Sequence, residues 1–255
     1  MNIFFLKLIL APVIIGSASL AGRKWGPAVS GWIIGMPLTS GPVVFFLALS
    51  HDAAFAANAS LGVISGGLSL VAYALAYARL ATRFRWPIAI SGSLFVFAVS
   101  TALLQNVTFA LFPIFLTVCA AILLGLRFIP NNFVETAEVQ PGRWDIPARI
   151  LIGTSFILLL TGIAPLIGPR LTGLLTTIPL YASILTIFAH RHQGPSAAAH
   201  VLRGLLYGMF AFAGFFLALS LLIERAGIAV AFLAAIAVAL AVQGTSLWVL
   251  RQTHG

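Results

Sequence analysis

One backbone plan occurs twice in this chain. The stretch from Gly26 to Gly66, GPAVSGWIIGMPLTSGPVVFFLALSHDAAFAANASLGVISG, aligns without a gap with GPRLTGLLTTIPLYASILTIFAHRHQGPSAAAHVLRGLLYG from Gly168 to Gly208. The offset is constant, 168 − 26 = 142. Gly26/Gly168, Pro27/Pro169, Gly31/Gly173, Pro37/Pro179, Leu38/Leu180, Phe46/Phe188, Ala56/Ala198, Ala57/Ala199, Gly62/Gly204 and Gly66/Gly208 are identical. Shared glycines and prolines weigh most, because they dictate backbone shape and do not merely repeat an apolar composition. Two copies of one plan, each with a proline inside an apolar span, is the pattern of membrane transporters built from internal repeats.

Composition sets the solvent. The chain is 61% hydrophobic and 7% charged, where soluble domains carry roughly 25% charged residues. Several apolar runs exceed the ~18 residues that cross a bilayer, so a polytopic helical membrane protein is expected. A transmembrane barrel is disfavoured, because its strands alternate polar and apolar residues and these runs do not. The net charge of +9 sits mostly in short loops, where it orients spans and meets anionic lipid and gives no sign of a nucleic-acid partner. The single cysteine, Cys119, rules out an intrachain disulfide. The first apolar run resembles a signal peptide in its small-residue end. It lacks a basic n-region, carries Lys7 internally and is followed by Arg23 and Lys24, so a retained helix is expected.

Apolar periodicity places helices near 3–21, 27–49, 53–78, 86–103 and 106–128, then near 147–165, 170–189, 196–223 and 227–251. The expected architecture is an all-α bundle of about nine spans, five plus four, with proline-broken helices. The first repeat covers 1–128, a cytoplasmic connector 129–146, and the second repeat 147–255. With the N-terminus outside, inner segments hold Arg23, Lys24, Arg79, Arg83, Arg85, Arg127, Arg143, Arg149, Arg191 and Arg251, and outer segments hold Lys7, Arg170 and Arg225. That bias predicts an N-out, C-in topology. An odd number of spans in the first repeat would insert the second upside down.

The candidate site follows from the repeat. Gly35-Met36-Pro37 and Thr177-Ile178-Pro179 lie about ten residues into their spans, roughly 15 Å deep at 1.5 Å per residue. Proline there frees a carbonyl four residues earlier, which side chains, water or a solute must satisfy. Thr39, Ser40, Gly41 and Pro42 are enough to unwind the first copy. The second, with Thr176, Thr177, Tyr181 and Ser183, is expected only to kink. Gly62-x-x-x-Gly66 and Gly204-x-x-x-Gly208 mark close helix approaches, and Asn58 and His200 precede them by one turn, so both are expected to face that seam. His200 is taken as the intramembrane histidine, with Arg203 beside it either snorkelling or balancing an anion. Arg170, in place of Ala28, is either an interfacial anchor or an anion collector at the outer mouth. Proton coupling, if present, falls to His200 or Asp52. His190-Arg191-His192 reads as a loop cluster at the inner face.

No enzyme is expected. The sequence has no HExxH, no GxSxG, no P-loop and no Cys/His metal spacing, and no cofactor or metal is called for. The second repeat, through Gly173-Leu174, Pro179, Gly194 with Ala197, and Gly208-Met209, resembles the small bacterial membrane proteins of the GlpM type over about Leu171 to Leu222. That resemblance implies a bacterial inner-membrane location and a loose association with exopolysaccharide production. It supplies no mechanism. The expected function is a secondary transporter or exporter of a small anionic or neutral polar solute. Its site residues would be Gly35, Pro37, Thr39, Ser40, Asn58, Thr176, Thr177, Pro179, Tyr181, His200 and Arg203. The alternative is a scaffold or accessory subunit of envelope-polysaccharide assembly. The expected partners are the lipid bilayer and the solute, with homodimer formation left open.

Overall fold

The computed structural model describes residues 3–25, 37–130 and 145–252, and among these it is helical with no strand. In chain order the helices are α1 (Ile3–Trp25), α2 (Ser40–Ser50), α3 (Ala53–Ala81), α4 (Trp86–Leu104), α5 (Leu111–Phe128), α6 (Asp145–Leu175), α7 (Leu180–Gln193) and α8 (Pro195–Gln252). Among the described residues, five stretches are long and apolar enough to cross a membrane: α3, α4, α5, Ile146–Gln193 and Pro195–Thr245. The chain is therefore a helical membrane protein. Gly35 and the connector residues 131–144 lie outside the described residues.

The expected nine spans do not appear as nine separate helices among the described residues, for two physical reasons. Gly168 (φ 78°, ψ 165°) and Gly227 (φ 78°, ψ 169°) take the backbone out of helix inside α6 and α8, so each is two helices joined at one residue. Only glycine adopts that positive φ without strain. In addition, the predicted span near 170–189 is interrupted: α6 stops at Leu175 and α7 starts at Leu180, with Thr176 to Pro179 non-helical between them. The expectation of a mere kink in the second copy is thus corrected to a full break. Pro179 has no N–H to continue the ladder, and Thr176 and Thr177 turn their hydroxyls onto the last carbonyls.

Helix α3 is the centre of the bundle. Of its most apolar window 72% is buried, against 22% for α4 and α5. It packs on α4, α5, α6 and α8. The outer faces of α4 and α5 expose Leu94, Phe95, Val99, Leu103, Leu116, Leu123 and Leu124, an apolar surface suited to lipid. Helix α3 meets the short segment after Gly168 backbone to backbone. A Cβ on Gly62 would strike the Arg170 carbonyl, and one on Gly173 would strike the Ala59 carbonyl. The sequence expected such an approach at Gly62 and Gly66, where small residues let two backbones close up.

Two arginines fasten helix ends to segments distant in the sequence. Arg170 donates to the Leu104 carbonyl at 3.0 Å, the C-terminus of α4. Arg203 donates to the Leu126 and Ile129 carbonyls, both at 2.7 Å, at the C-terminus of α5. Terminal carbonyls lack intrahelical partners, and a cation is the favoured group beside them. These bonds bring the start of the post-Gly168 segment to the end of α4, and the start of α8 to the end of α5.

Candidate functional site

The two proline-bearing stretches, far apart in sequence, line one cavity of about 60 Å³. One wall is Leu38, Thr39 and Ser40; another runs from Thr176 to Ala182; Leu70, Leu205, Met209 and Phe212 close it. Because α2 begins at Ser40 and α7 at Leu180, the cavity lies at the N-terminal ends of two helices. A helix start leaves amides without intrahelical acceptors, and its dipole places partial positive charge at the same point. Neither helix is capped by a side chain: Thr39 makes no cap hydrogen bond, and Pro179 stands at the cap of α7.

The hydroxyls around the cavity are in two different states. Thr176 Oγ1 donates to the Gly173 carbonyl and Thr177 Oγ1 to the Leu174 carbonyl, both at 2.7 Å. Ser40, 3% exposed, and Thr39 have hydroxyls with no hydrogen-bond partner among the described residues. Tyr181 lines the cavity and sends its hydroxyl to the Arg149 carbonyl at 3.0 Å. A Cβ on Gly153 would collide with that hydroxyl. Gly66 holds the second break in place: a Cβ there would stand 2.5 Å from Thr177 Oγ1 and 3.1 Å from the Leu174 carbonyl oxygen.

Of the residues expected at the site, Thr39, Ser40, Thr176, Thr177, Pro179 and Tyr181 line this cavity. Pro37 is adjacent, its carbonyl accepting from the Gly41 amide at 2.8 Å. Three do not join them. Asn58 is exposed and donates to the Ala54 carbonyl at 2.9 Å of its own helix. The seam runs through Ala59, Gly62 and Gly66, and Asn58 falls off its edge. His200 is exposed on α8. Arg203 is committed to the α5 carbonyls and lies over the Tyr207 ring. Asp52 caps α3 through the Phe55 amide at 2.6 Å and is exposed. The histidine buried in the bundle is His190, 9% exposed, inside α7 rather than in a loop.

His190 belongs to a feature that the sequence reading passed over. On α3, Tyr73 and Tyr77 are fully buried one turn apart. Tyr73 shares a 2.9 Å hydrogen bond with Ser183, and Tyr77 stands 3.4 Å from His190 Nδ1. Thr186, buried and without a partner for its hydroxyl, lies between them on α7. The spacing of Ser183, Thr186 and His190 (i, i+3, i+7) is a helical polar stripe, and that was the available signal. It clamps α7 to α3 just past the cavity. Lys7 likewise points inward, donating to Thr161 Oγ1 at 2.9 Å with its ammonium 5.8 Å from the Phe46 ring centre.

No group of three or more metal-binding side chains occurs among the described residues. Compared with known proteins, the chain matches no family model, no curated protein and no solved structure.

Proposed function

We propose that the protein is an inner-membrane secondary transporter or exporter of a small anionic or neutral polar solute, with its site at the cavity between the two broken helices. The observation that carries this reading is that Leu38–Ser40 and Leu180–Ala182, which correspond at the offset of 142, line one cavity together with Thr176 and Thr177. Broken helices that meet in mid-bundle are a common way to present free backbone groups to a solute inside a membrane.

Element boundaries support the duplication at the same offset. Adding 142 to Ala53 and Trp86 gives Pro195 and Ile228, the start of α8 and the first residue after the Gly227 kink. The arginine bonds support inversion. α4 ends beside Arg170, so the short turn before it puts the start of α3 on that side as well. α5 ends beside Arg203, so α8 starts on the opposite side. Equivalent helices therefore run antiparallel. Arg79, Arg83, Arg85, Arg127 and Arg191 all belong to the side where α8 starts, which favours that side as cytoplasmic and the N-terminus as external.

The test is solute flux in proteoliposomes, followed by stopped-flow light scattering with sodium formate, sodium nitrate, urea and glycerol in turn. Uptake of at least one solute above protein-free vesicles is expected. Ala182→Leu, which fills the cavity wall, should lower it at least 10-fold. A folded protein that passes none of these solutes would leave the scaffold reading, an accessory subunit of envelope-polysaccharide assembly, in its place.

A further inference from the structure

Two helix contacts lead away from the cavity, and they occupy equivalent places in the two copies. On α3, Leu70 lines the cavity, and Tyr73 and Tyr77 follow one and two turns further along; adding 142 gives Phe212, which also lines it, Phe215 and Leu219 on α8. Tyr73 meets Ser183 of α7, and Phe215 meets Gly41 of α2, where 41 + 142 = 183. Further along the same two helices, Val44 corresponds to Thr186 and Ala48 to His190. α7 leads from the cavity to the start of α8, and α2 leads from it to the start of α3, so the two contacts close opposite ends of the cavity.

Their chemistry is opposite. Toward the start of α3 the contact is apolar. A Cβ on Gly41 would stand 3.7 Å from Phe215 Cζ, and the Phe215 ring packs on Phe216 and Phe232 at 4.9 and 6.1 Å between centres. Toward the start of α8 the contact is polar. The Tyr73 hydroxyl lies 2.9 Å from that of Ser183, and the Tyr77 hydroxyl 3.4 Å from His190 Nδ1. Between these pairs Thr186 is fully buried with its hydroxyl bonded to nothing. Parting the aromatic contact exposes apolar area, for which water offers no compensation. Parting the polar one trades hydrogen bonds for others with water, and the Thr186 hydroxyl gains a bond that it lacks.

We infer that the seam between α3 and α7 is the route by which a small polar solute passes between the cavity and the side where α8 starts. The Tyr73–Ser183 and Tyr77–His190 contacts are its closed gate; this deepens the transport reading and rests on it for the solute's passage. Ser183, Thr186 and His190 fall three and four residues apart on one face of α7, so a polar group stands at each turn from the cavity towards the helix end. Hydroxyls and a neutral imidazole can each donate and accept, so a solute moving along them exchanges one hydrogen bond for the next. The apolar contact between α2 and α8 is the firmer of the two seals.

The experiment labels Thr186→Cys and its equivalent Val44→Cys, each in the full-length chain with Cys119→Ala, using a membrane-impermeant methanethiosulfonate reagent. Both positions are fully buried, so neither reacts unless its seam opens. Right-side-out and inverted membrane vesicles present the two faces separately. Thr186→Cys should react only from the side where α8 starts, and about 10-fold faster than Val44→Cys from either side, because local opening sets both rates. Labelling at Thr186→Cys should also stop whichever of urea, glycerol, formate or nitrate the protein passes in proteoliposomes. Ser183→Cys serves if Thr186→Cys does not fold. An inert Thr186→Cys, one no faster than Val44→Cys, reaction from the opposite side, or undiminished flux through labelled protein would overturn the proposal. The two readings fail separately. Flux with an inert Thr186→Cys would keep transport and remove this route. Labelling without flux of any solute would remove transport and leave only a seam that opens.

Discussion

The two proline breaks occupy equivalent places in the chain, yet they treat their polar groups in opposite ways. After α6, Thr176 and Thr177 turn back and spend their hydroxyl protons on the Gly173 and Leu174 carbonyls, so this break is sealed by its own side chains. At the start of α2, Thr39 and Ser40 stand at the same cavity with hydroxyls that serve no backbone group among the described residues. The end of α6 is satisfied by its own hydroxyls, and the start of α2 keeps its hydroxyls in reserve. Similar residues, two threonines against a threonine and a serine, do different work because of which side of the break they stand on. Residues just after a helix end meet carbonyls, and those just before a helix start meet amides.

Substitutions can break or sharpen this contrast. The largest effect is expected from Gly66→Leu, which drives a side chain into Thr177 and the Leu174 carbonyl. A loss of ~3 kcal/mol, the upper end for overpacking, should appear in thermal melting of the detergent-solubilised protein. Thr177→Val keeps the volume but removes one bond from the Leu174 carbonyl. It should cost ~1 kcal/mol in the same melting measurement. Ser40→Ala removes a hydroxyl of the same kind from the open break and should change stability by less than ~0.5 kcal/mol, because no protein bond is lost. Equal destabilisation by Thr177→Val and Ser40→Ala would erase the distinction between sealed and open. The smallest effect is expected for His200→Ala: an exposed residue outside the cavity should leave proteoliposome flux unchanged.

The meeting of the two proline-bearing stretches at one cavity was legible in the sequence, and the rest of its lining was not. Pro37 and Pro179 report directly on backbone, since a missing N–H interrupts a helix wherever it falls. Their matched depth was enough to place both breaks at one level, and Thr39, Ser40, Thr176, Thr177 and Tyr181 came with them by adjacency. Asn58, His200 and Arg203 were drawn in by helical phase alone. Phase tells which residues share a stripe, but it does not tell how far the neighbouring helix extends along it. The destinations of Arg170 and Arg203 depend on where α4 and α5 end in space, which only tertiary packing decides. The helix boundaries expected near 165/170 and 223/227 fall at Gly168 and Gly227, where the chain bends within a single residue. The Tyr73–Ser183 and Tyr77–His190 pairs were written in the sequence as two stripes, but their meeting was not.

The central claim is that both breaks face one solute-accessible site inside the membrane. It is tested most directly by thiol accessibility. In a Cys119→Ala background, which removes the one native cysteine, Thr39→Cys and Thr177→Cys are each placed in the protein reconstituted in vesicles. Both are then treated with a membrane-impermeant methanethiosulfonate reagent. Both positions should react, at rates above a lipid-facing control such as Leu123→Cys, and adding Ala182→Leu should protect both together. If neither reacts while exposed His51→Cys does, or if filling the cavity protects one and not the other, the two breaks do not form a shared solute site.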